Sequence, residues 1–245
     1  MRSTAVAVLC LLAAVPSLAR ADRRYYGETY SAAIAPPGGL DLELWTTFHQ
    51  APPAGGTDFW RTQIELETGI LNRWDVALYN VLRSEAGQGT RYEALKLESR
   101  YGLADPGAWP VDVVLYLEVM KEFIVDRPFA LEGKVIAARD LGPLNLSLNL
   151  VAEQELVPGG GTETELGGAF GASLELLPAL RIGAEVFGDR TRVSAGGTVA
   201  WESHAWAGPA LSVAALQGWL VLAAGFGLTD ESEKVRARAI LAWQF

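Results

Sequence analysis

Apolar and polar positions alternate with a period of two along the end of the chain. In the segment from Val235 to Phe245, one face would carry Val235, Ala237, Ala239, Leu241, Trp243 and Phe245, and the other Arg236, Arg238, Ile240, Ala242 and Gln244. Successive side chains of a β-strand point to opposite sides. The pattern therefore predicts a strand with one face toward lipid and the other toward a more polar interior.

The same period continues back to Leu40 in segments of about ten residues, the length of a tilted strand that crosses a bilayer. Turn residues separate twelve such segments, at 40–50, 58–70, 74–84, 91–102, 110–122, 129–139, 143–155, 163–176, 180–189, 204–215, 219–229 and 235–245. The predicted fold is all-β: a transmembrane antiparallel up-and-down β-barrel of about 12 strands over residues 40–245. An even number of strands places both ends of the barrel at the periplasmic rim.

The two faces of the predicted strands differ in charge. In the first strand Leu40, Leu42 and Leu44 share one face, and Asp41 and Glu43 share the other. A soluble β-sandwich also alternates, but it would bury these carboxylates in its core, which is costly unless they are paired. The pattern favours a barrel with leucines toward lipid and carboxylates toward the lumen.

One uncharged stretch, from Ala205 to Thr229, is long enough to cross a bilayer as a helix. It contains Gly208 and Pro209, and its apolar residues keep a period of two. We therefore predict a hairpin that turns near Gln217 and Gly218 in place of a helix.

The connections between the predicted strands are short, and only Arg190 to Ser203 is long enough to fold over or into the barrel. We therefore expect no large plug from the loops. The segment from Arg24 to Ala35, with three tyrosines, precedes the first strand. It could insert into the lumen as a tethered plug, but we assign residues 22–39 to the plainer alternative, an extended segment at the periplasmic rim.

The N-terminus has the features of a secretory signal peptide. Arg2 precedes an apolar run over residues 5–14, and Ala19 and Ala21 form an Ala-x-Ala cleavage site. We predict a signal peptide at 1–21. Cys10, the only cysteine, lies within it, so the mature chain would have neither disulfides nor thiolate sites.

The formal net charge of −9 argues against a nucleic acid partner, since such partners reward clustered lysine and arginine. The acidic residues instead concentrate on the predicted lumen face. Two groups have no obvious cationic neighbours: Asp41, Glu43, Glu65 and Glu67 near the periplasmic rim, and Glu153, Glu155, Glu163 and Glu165 near the external rim. Water, cations or the remote Arg236 and Arg238 could offset them, and rings of carboxylates attract cations.

Hairpin register also predicts lateral ion pairs within the lumen. In these pairs Asp75 faces Arg100, Arg100 faces Asp112, Glu118 faces Lys134, and Glu175 faces Arg181. Pairs of this kind most often stiffen a barrel wall, because structural ion-pair networks are common.

The width of the lumen is intermediate for twelve strands, since about eight leave a filled interior and about sixteen an open channel. Large residues such as Trp45, Tyr79 and Tyr116 would narrow one side. Small residues, including Gly167 and Ala169, would leave another side roomier. The sequence therefore predicts a narrow passage or a pocket.

Catalytic chemistry finds little support in the sequence. His49 could meet Asp58 across a hairpin, but Ser203 and His204 are adjacent on a strand and point to opposite sides. There is no G-x-S-x-G motif, metal-binding histidine pair or calcium loop. We expect no enzymatic activity, no cofactor and no metal site.

The most recognisable segment of the sequence runs from Gly38 to Leu82, with GGLDLELWTTFHQ followed by DFWRTQIELETGILNRWDVALYNVL. It resembles the first strands of uncharacterised bacterial outer-membrane β-barrels of a porin-like group described as transporters. The C-terminal Leu241, Trp243 and Phe245 resemble the signal by which such barrels are handed to the barrel assembly machinery. These resemblances imply an outer-membrane location and lipid as a partner, and they carry no catalytic or ligand residue.

Together these patterns predict an outer-membrane barrel that forms a narrow passage for small neutral or cationic solutes. A closed structural barrel is the first alternative, and a lipid-modifying enzyme is the second.

Overall fold

The computed structural model describes residues 23–53, 55–124, 129–157, 161–195 and 198–245, so the predicted signal peptide at 1–21 lies outside it. Twelve strands close into one antiparallel barrel in which each strand pairs with its chain neighbour and β1 pairs with β12. The strands are β1 Leu40–His49, β2 Phe59–Leu71, β3 Trp74–Glu85, β4 Gly89–Gly102, β5 Asp112–Glu122, β6 Ala130–Leu141, β7 Leu144–Val157, β8 Gly161–Leu177, β9 Leu180–Ala195, β10 Thr198–Ala215, β11 Gly218–Gly227 and β12 Val235–Gln244. The predicted fold class and strand number are confirmed.

Alternation produces the two faces of the wall. Leu42 and Ile64 are 38% and 40% exposed on the outside, whereas Glu43 and Glu65 are fully buried on the inside. Within the bilayer, outward side chains contact lipid tails, and inward side chains meet the contents of the lumen. The barrel therefore has an apolar exterior and a charged interior.

The stretch from 205 to 229 forms β10 and β11, and Ala215 pairs with Gly218 across a two-residue turn. The predicted hairpin is confirmed in place of the helix. Among the residues that the structure covers, no helix has the length and hydropathy needed to cross a membrane.

The predicted long loop at Arg190 to Ser203 is wrong. β9 and β10 continue through this stretch, with Arg190 opposite Ser203 and Ala195 opposite Thr198. A strand pair that extends beyond the bilayer has water on both faces, so it can form without the apolar alternation used to locate the wall segments.

The N-terminal segment lies inside the barrel, so its placement at the rim is wrong. Tyr26, Thr29 and Arg24 are 1%, 2% and 5% exposed, and Pro37 forms a parallel bridge with Gly69 where the segment joins the wall. We call residues 23–35 the plug. The assignment to the rim did not take into account the polar groups of the lumen wall. These groups can form hydrogen bonds with the backbone of an irregular segment.

Two glycines make room for this segment. A Cβ at Gly69 would lie 2.2 Å from the carbonyl oxygen of Pro36, and one at Gly171 would lie 2.6 Å from the ring of Tyr26. Neither distance is possible for a real side chain, so the wall is shaped to hold the plug.

Candidate functional site in the barrel lumen

The tip of the plug is held by one carboxylate. The backbone N–H groups of Gly27, Glu28 and Thr29 donate to the Glu185 carboxylate on β9 at 2.9 Å each, and Thr29 Oγ1 donates at 3.1 Å. Successive backbone N–H groups that converge on an anion form a strong, directional site. We call these four contacts the latch.

Three further wall residues hold the plug below the latch. Asn149 on β7 accepts a hydrogen bond from the Tyr30 backbone N–H at 2.6 Å and donates to the Tyr30 carbonyl at 2.9 Å. Tyr26 donates to Asn145 Oδ1 at 2.9 Å, and the Ala35 N–H donates to Asp75 at 2.9 Å. The plug thus reaches from the periplasmic rim to mid-barrel and fills that half of the lumen.

Arg24 of the plug occupies an aromatic and acidic recess in the wall. Its guanidinium carbon lies 4.1 Å from the ring centre of Tyr30 and 4.4 Å from that of Trp45. Arg24 Nε is 3.4 Å from Glu43 Oε2, and Trp45 Nε1 donates to the same oxygen at 2.8 Å. Glu65 faces Glu43 across the β1–β2 pair. We call Trp45, Tyr30, Glu43 and Glu65 the cation box.

Next to the box, Arg100 joins three carboxylates. It donates to Asp75 at 3.0 and 2.6 Å, lies 3.3 Å from Glu98, and makes a short hydrogen bond with Glu67. Asp75 faces Arg100 across β3 and β4, as the sequence predicts. Arg100 is 2% exposed, so this charged group is held almost entirely by its partners.

The predicted pairing of Arg100 with Asp112 is wrong. Arg100 faces Tyr116, and Asp112 accepts a hydrogen bond from the Gly107 backbone at 2.7 Å. The connection 103–111 displaces β5 along β4, because the Leu103 N–H bonds the carbonyl of Val113. The residue pairing between two strands can be predicted from the sequence only where a tight turn joins them.

The predicted pairing of Glu118 with Lys134 is displaced in the same way. Lys134 faces Tyr116 and forms an ion pair with Glu132 at 2.9 Å, while Lys96 bonds Glu118 at 2.9 Å. Residues two positions apart share one face of a strand, so the charges stay in the lumen but exchange partners.

Glu175 and Arg181 face each other as predicted, with a hydrogen bond of 3.0 Å. This connection at Leu177 to Leu180 is short, and the register survives it except for an irregularity at Leu177.

The first acidic group, near the periplasmic rim, is buried and brought together by direct strand pairing. Asp41 faces Glu67, and each is at most 3% exposed. The cations that meet this group are Arg24 and Arg100, while Arg236 and Arg238 lie near Glu28 at the tip of the plug. No pattern in the sequence aligns the plug with the wall, so sequence reasoning missed the role of Arg24. Its one signal is an arginine in a tyrosine-rich segment.

The second acidic group lines a cavity of about 380 Å³ in the external half of the lumen. Glu153 faces Glu165 and Glu155 faces Glu163 across β7 and β8. The lining includes four basic residues and nine glutamates: Glu28, Glu93, Glu118, Glu122, Glu132, Glu153, Glu155, Glu163 and Glu165. We call this cavity the vestibule. No cluster with the composition of a metal site occurs among the residues that the structure describes.

The floor of the vestibule is aromatic. Tyr30 of the plug, together with Trp45, Tyr79 and Tyr116 of the wall, lines its inner end. A smaller cavity of about 140 Å³ shares Glu28 and Glu132 with the vestibule and lies along Gly167, Gly168 and Ala169. The lumen is therefore narrowed by rings on one side and roomier along the small residues of β8.

Both histidines contact carboxylates near the external rim. His49 Nδ1 lies 2.8 Å from Glu233 Oε1, and His204 Nδ1 lies 2.8 Å from Asp189. Glu233 belongs to the connection before β12, where burial opposes its ionisation but hydrogen bonds from His49 and Arg236 lower its pKa to about 2. Asp58 instead accepts a hydrogen bond from the Ala51 backbone N–H.

The closed twelve-strand wall, apolar outside and charged inside, defines the chain as a bacterial outer-membrane β-barrel. No protein-family model matches the chain, and no curated protein matches it significantly.

Solved structures with this fold include a COG4313 outer membrane channel from Pseudomonas putida F1. It has a TM-score of 0.65 and 11% identity, and the match covers 86% of this chain and 97% of the channel. The KdgM porin matches with a TM-score of 0.54 and 8% identity over 84% of this chain and 99% of the porin. A KdgM porin in complex with disordered oligogalacturonate has a TM-score of 0.53, 9% identity and the same coverage. At these identities the similarity shows a shared fold.

Proposed function

We propose that the protein is a gated outer-membrane channel that admits small cations and neutral solutes. The observation that carries this proposal is the vestibule, in which nine glutamates and four basic residues surround a cavity of about 380 Å³. An excess of carboxylates in a confined lumen concentrates cations and repels anions. Small neutral solutes would be neither concentrated nor repelled.

The plug is the natural gate in this proposal. It fills the periplasmic half of the lumen through hydrogen bonds, such as those of Glu185 and Asn149, and is not itself a strand of the wall. Breaking these hydrogen bonds would release the plug, and the ring of twelve strands would stay intact. A gate of this kind needs only a shift in population between an inserted and a released plug.

The fold relatives support a channel but do not identify the solute. Two of them are named as a channel and a porin, and one porin structure contains oligogalacturonate. Oligogalacturonate carries carboxylates, which the glutamates of the vestibule would repel. We therefore do not extend this ligand to the present chain.

A closed structural barrel remains the second candidate, because the periplasmic half of the lumen is packed. Trp45, Tyr79 and Tyr116 are each at most 4% exposed within one apolar cluster that includes Tyr30. A lipid-modifying activity has no comparable support, since the side-chain hydrogen bonds of both histidines among the described residues are to carboxylates and none is to a nucleophilic hydroxyl. We propose no catalytic role for them.

Planar bilayers distinguish these candidates. Purified protein should give conductance steps that switch between closed and open levels, with a reversal potential in a KCl gradient that favours potassium. A chain that never conducts, including after removal of residues 23–35, would support the structural barrel. A preference for chloride would contradict the proposal.

Neutralising two facing carboxylates of the vestibule tests the basis of selectivity. Glu153 and Glu165 face each other across β7 and β8. At the dielectric constant of water, each charge attracts a cation about 8 Å away by roughly 0.5 kcal/mol. This attraction raises the local cation concentration about twofold. Each charge repels chloride by the same factor, so at about pH 9, which ionises both carboxylates, the double change Glu153→Gln and Glu165→Gln is expected to lower the potassium-to-chloride permeability ratio about 16-fold. Reversal potentials measure this ratio. Glu231→Gln, in an exposed external connection, is the control and should leave the ratio unchanged.

We also propose that the C-terminal aromatic residue is read by the barrel assembly machinery. Phe245 is 72% exposed, and its backbone N–H bonds the carbonyl of Leu40 at the β1–β12 closure. Phe245→Ala is expected to lower the amount of assembled barrel in cells without affecting refolding in detergent. Heat-modifiable gel mobility measures both quantities. Leu228→Ala, another exposed apolar residue, is the control, and an equal loss in both variants would contradict a signal role.

A further inference from the structure

The cation box is built like a receptor for a guanidinium group. Two rings, of Tyr30 and Trp45, lie 4.1 and 4.4 Å from the Arg24 guanidinium carbon. The Glu43 carboxylate is 3.4 Å from Arg24 Nε, and Glu65 lies beside Glu43 on the paired strand. Stacking between rings with an adjacent carboxylate is the arrangement by which proteins bind organic cations.

The occupant of the box is held by stacking and charge, without directed hydrogen bonds. Arg24 Nε and Nη2 are buried and make no hydrogen bond to any described residue. Neither carboxylate oxygen of Glu65 accepts one, although this side chain is fully buried. A buried carboxylate that lacks a hydrogen-bond donor is a costly arrangement for a purely structural contact. The carboxylate oxygens of Glu65 are therefore hydrogen-bond acceptors that Arg24 does not use.

The wall supplies most of the box. Trp45 and Glu43 lie on β1 and Glu65 on β2, while Arg24 and Tyr30 belong to the plug. Trp45 is already oriented by its 2.8 Å hydrogen bond to Glu43. Withdrawal of the Arg24 side chain would leave an oriented ring and two carboxylates below the floor of the vestibule.

We propose that the cation box is a solute-binding site for a guanidinium or alkylammonium group, and that Arg24 is a tethered ligand that occupies the site in the closed channel. A solute cation that entered through the vestibule would compete with Arg24 for the same ring and carboxylates. Its binding would favour the released plug, because it binds only the state from which Arg24 has withdrawn. This inference rests on the proposed channel function and assigns the solute class to it.

The test uses the indole N–H of Trp45 as a reporter, because this group donates directly to Glu43 inside the box. The full barrel in detergent micelles, labelled with nitrogen-15 at tryptophan, is titrated with guanidinium chloride at constant ionic strength. Trp45→Phe assigns the reporter resonance. Arg24→Ala should show a saturable shift of this resonance with an affinity for guanidinium at least about tenfold above that of the wild type. Sodium chloride should produce no such shift.

Two matched variants separate a binding site from a packing defect. Arg24→Lys keeps a cation in the box, so its affinity for guanidinium should stay near that of the wild type. The double variant Arg24→Ala and Glu65→Gln retains the space but replaces a carboxyl group that can ionise beside a bound cation, so its affinity should fall several-fold below that of Arg24→Ala. Indole resonances that remain dispersed show a folded barrel, and Arg24→Gln replaces Arg24→Ala if they do not.

Equal guanidinium affinities for the wild type and Arg24→Ala would overturn the inference, as would a shift that sodium reproduces. The binding measurement needs no conductance. A barrel that conducts but does not bind guanidinium would remove only this inference, and one that binds guanidinium but never conducts would remove only the channel function.

Discussion

Replacing Glu185 by alanine is expected to open the lumen and produce the largest change in conductance of any single substitution. The carboxylate accepts three backbone N–H groups and one hydroxyl from the plug, and each charge-assisted hydrogen bond is strong. Their loss should destabilise the inserted plug by roughly 3 kcal/mol, which shifts the ratio of released to inserted plug about 100-fold. Open probability in planar bilayers measures the shift directly.

The matched control is Glu202→Ala on the neighbouring strand β10. Glu202 is 57% exposed and lies in the extended β9–β10 hairpin, at the opposite end of the barrel from the point where the plug enters. Its removal should leave the open probability unchanged. If Glu185→Ala refolds normally and opens no more often than the wild type, the latch does not hold the gate.

Arg100→Met is expected to cause the largest loss of stability. The substitution keeps the length of the side chain but leaves Glu67, Asp75 and Glu98 without the cation that joins them in a buried setting. Removing one partner of a buried ion pair typically costs about 3–5 kcal/mol. Urea unfolding of the barrel in lipid vesicles, followed by tryptophan fluorescence, would measure the decrease in the free energy of unfolding.

Arg73→Met provides the comparison for this prediction. Arg73 is 37% exposed, and its ion pair with Asp105 spans 3.7 Å with the carboxylate 81% exposed. An exposed pair of this kind contributes at most about 1 kcal/mol. Similar losses for the two variants would mean that burial does not amplify the Arg100 network.

The two predictions are linked through Asp75. This carboxylate bonds both Arg100 and the backbone N–H of Ala35 at the lower end of the plug. Loss of Arg100 should therefore also loosen the plug. The Arg100→Met channel should have a higher open probability than the Arg73→Met channel. The network that stabilises the wall thus also positions the gate.

The success of register prediction depended on the connections between strands. Asp75 and Arg100 were paired correctly across the short connection at the external rim, even though an irregularity at Val81 interrupts the ladder. Arg100 and Asp112 were not, because the connection 103–111 displaces the next strand. Alternation fixes which face a side chain occupies, but a shift of two residues preserves that face and changes every partner.

Other features depended on contacts that leave no periodic signal. The plug has no regular strand or helix, so nothing in its own pattern distinguishes the rim from the lumen. Its position follows from the fit between its backbone donors and Glu185, and between Tyr26 and the space above Gly171. Both partners lie more than a hundred residues away in the chain.

The alternation of residues along the chain is sufficient to predict the closed wall of twelve strands, its apolar exterior and the charge of its interior. It could do so because a two-residue period is a local property that each strand carries independently. The folded barrel was needed to show that the N-terminal segment lies inside the lumen, that Arg24 occupies the cation box, and that nine glutamates surround a vestibule. These features depend on which surfaces meet when the barrel closes, and that information is distributed over strands far apart in the chain.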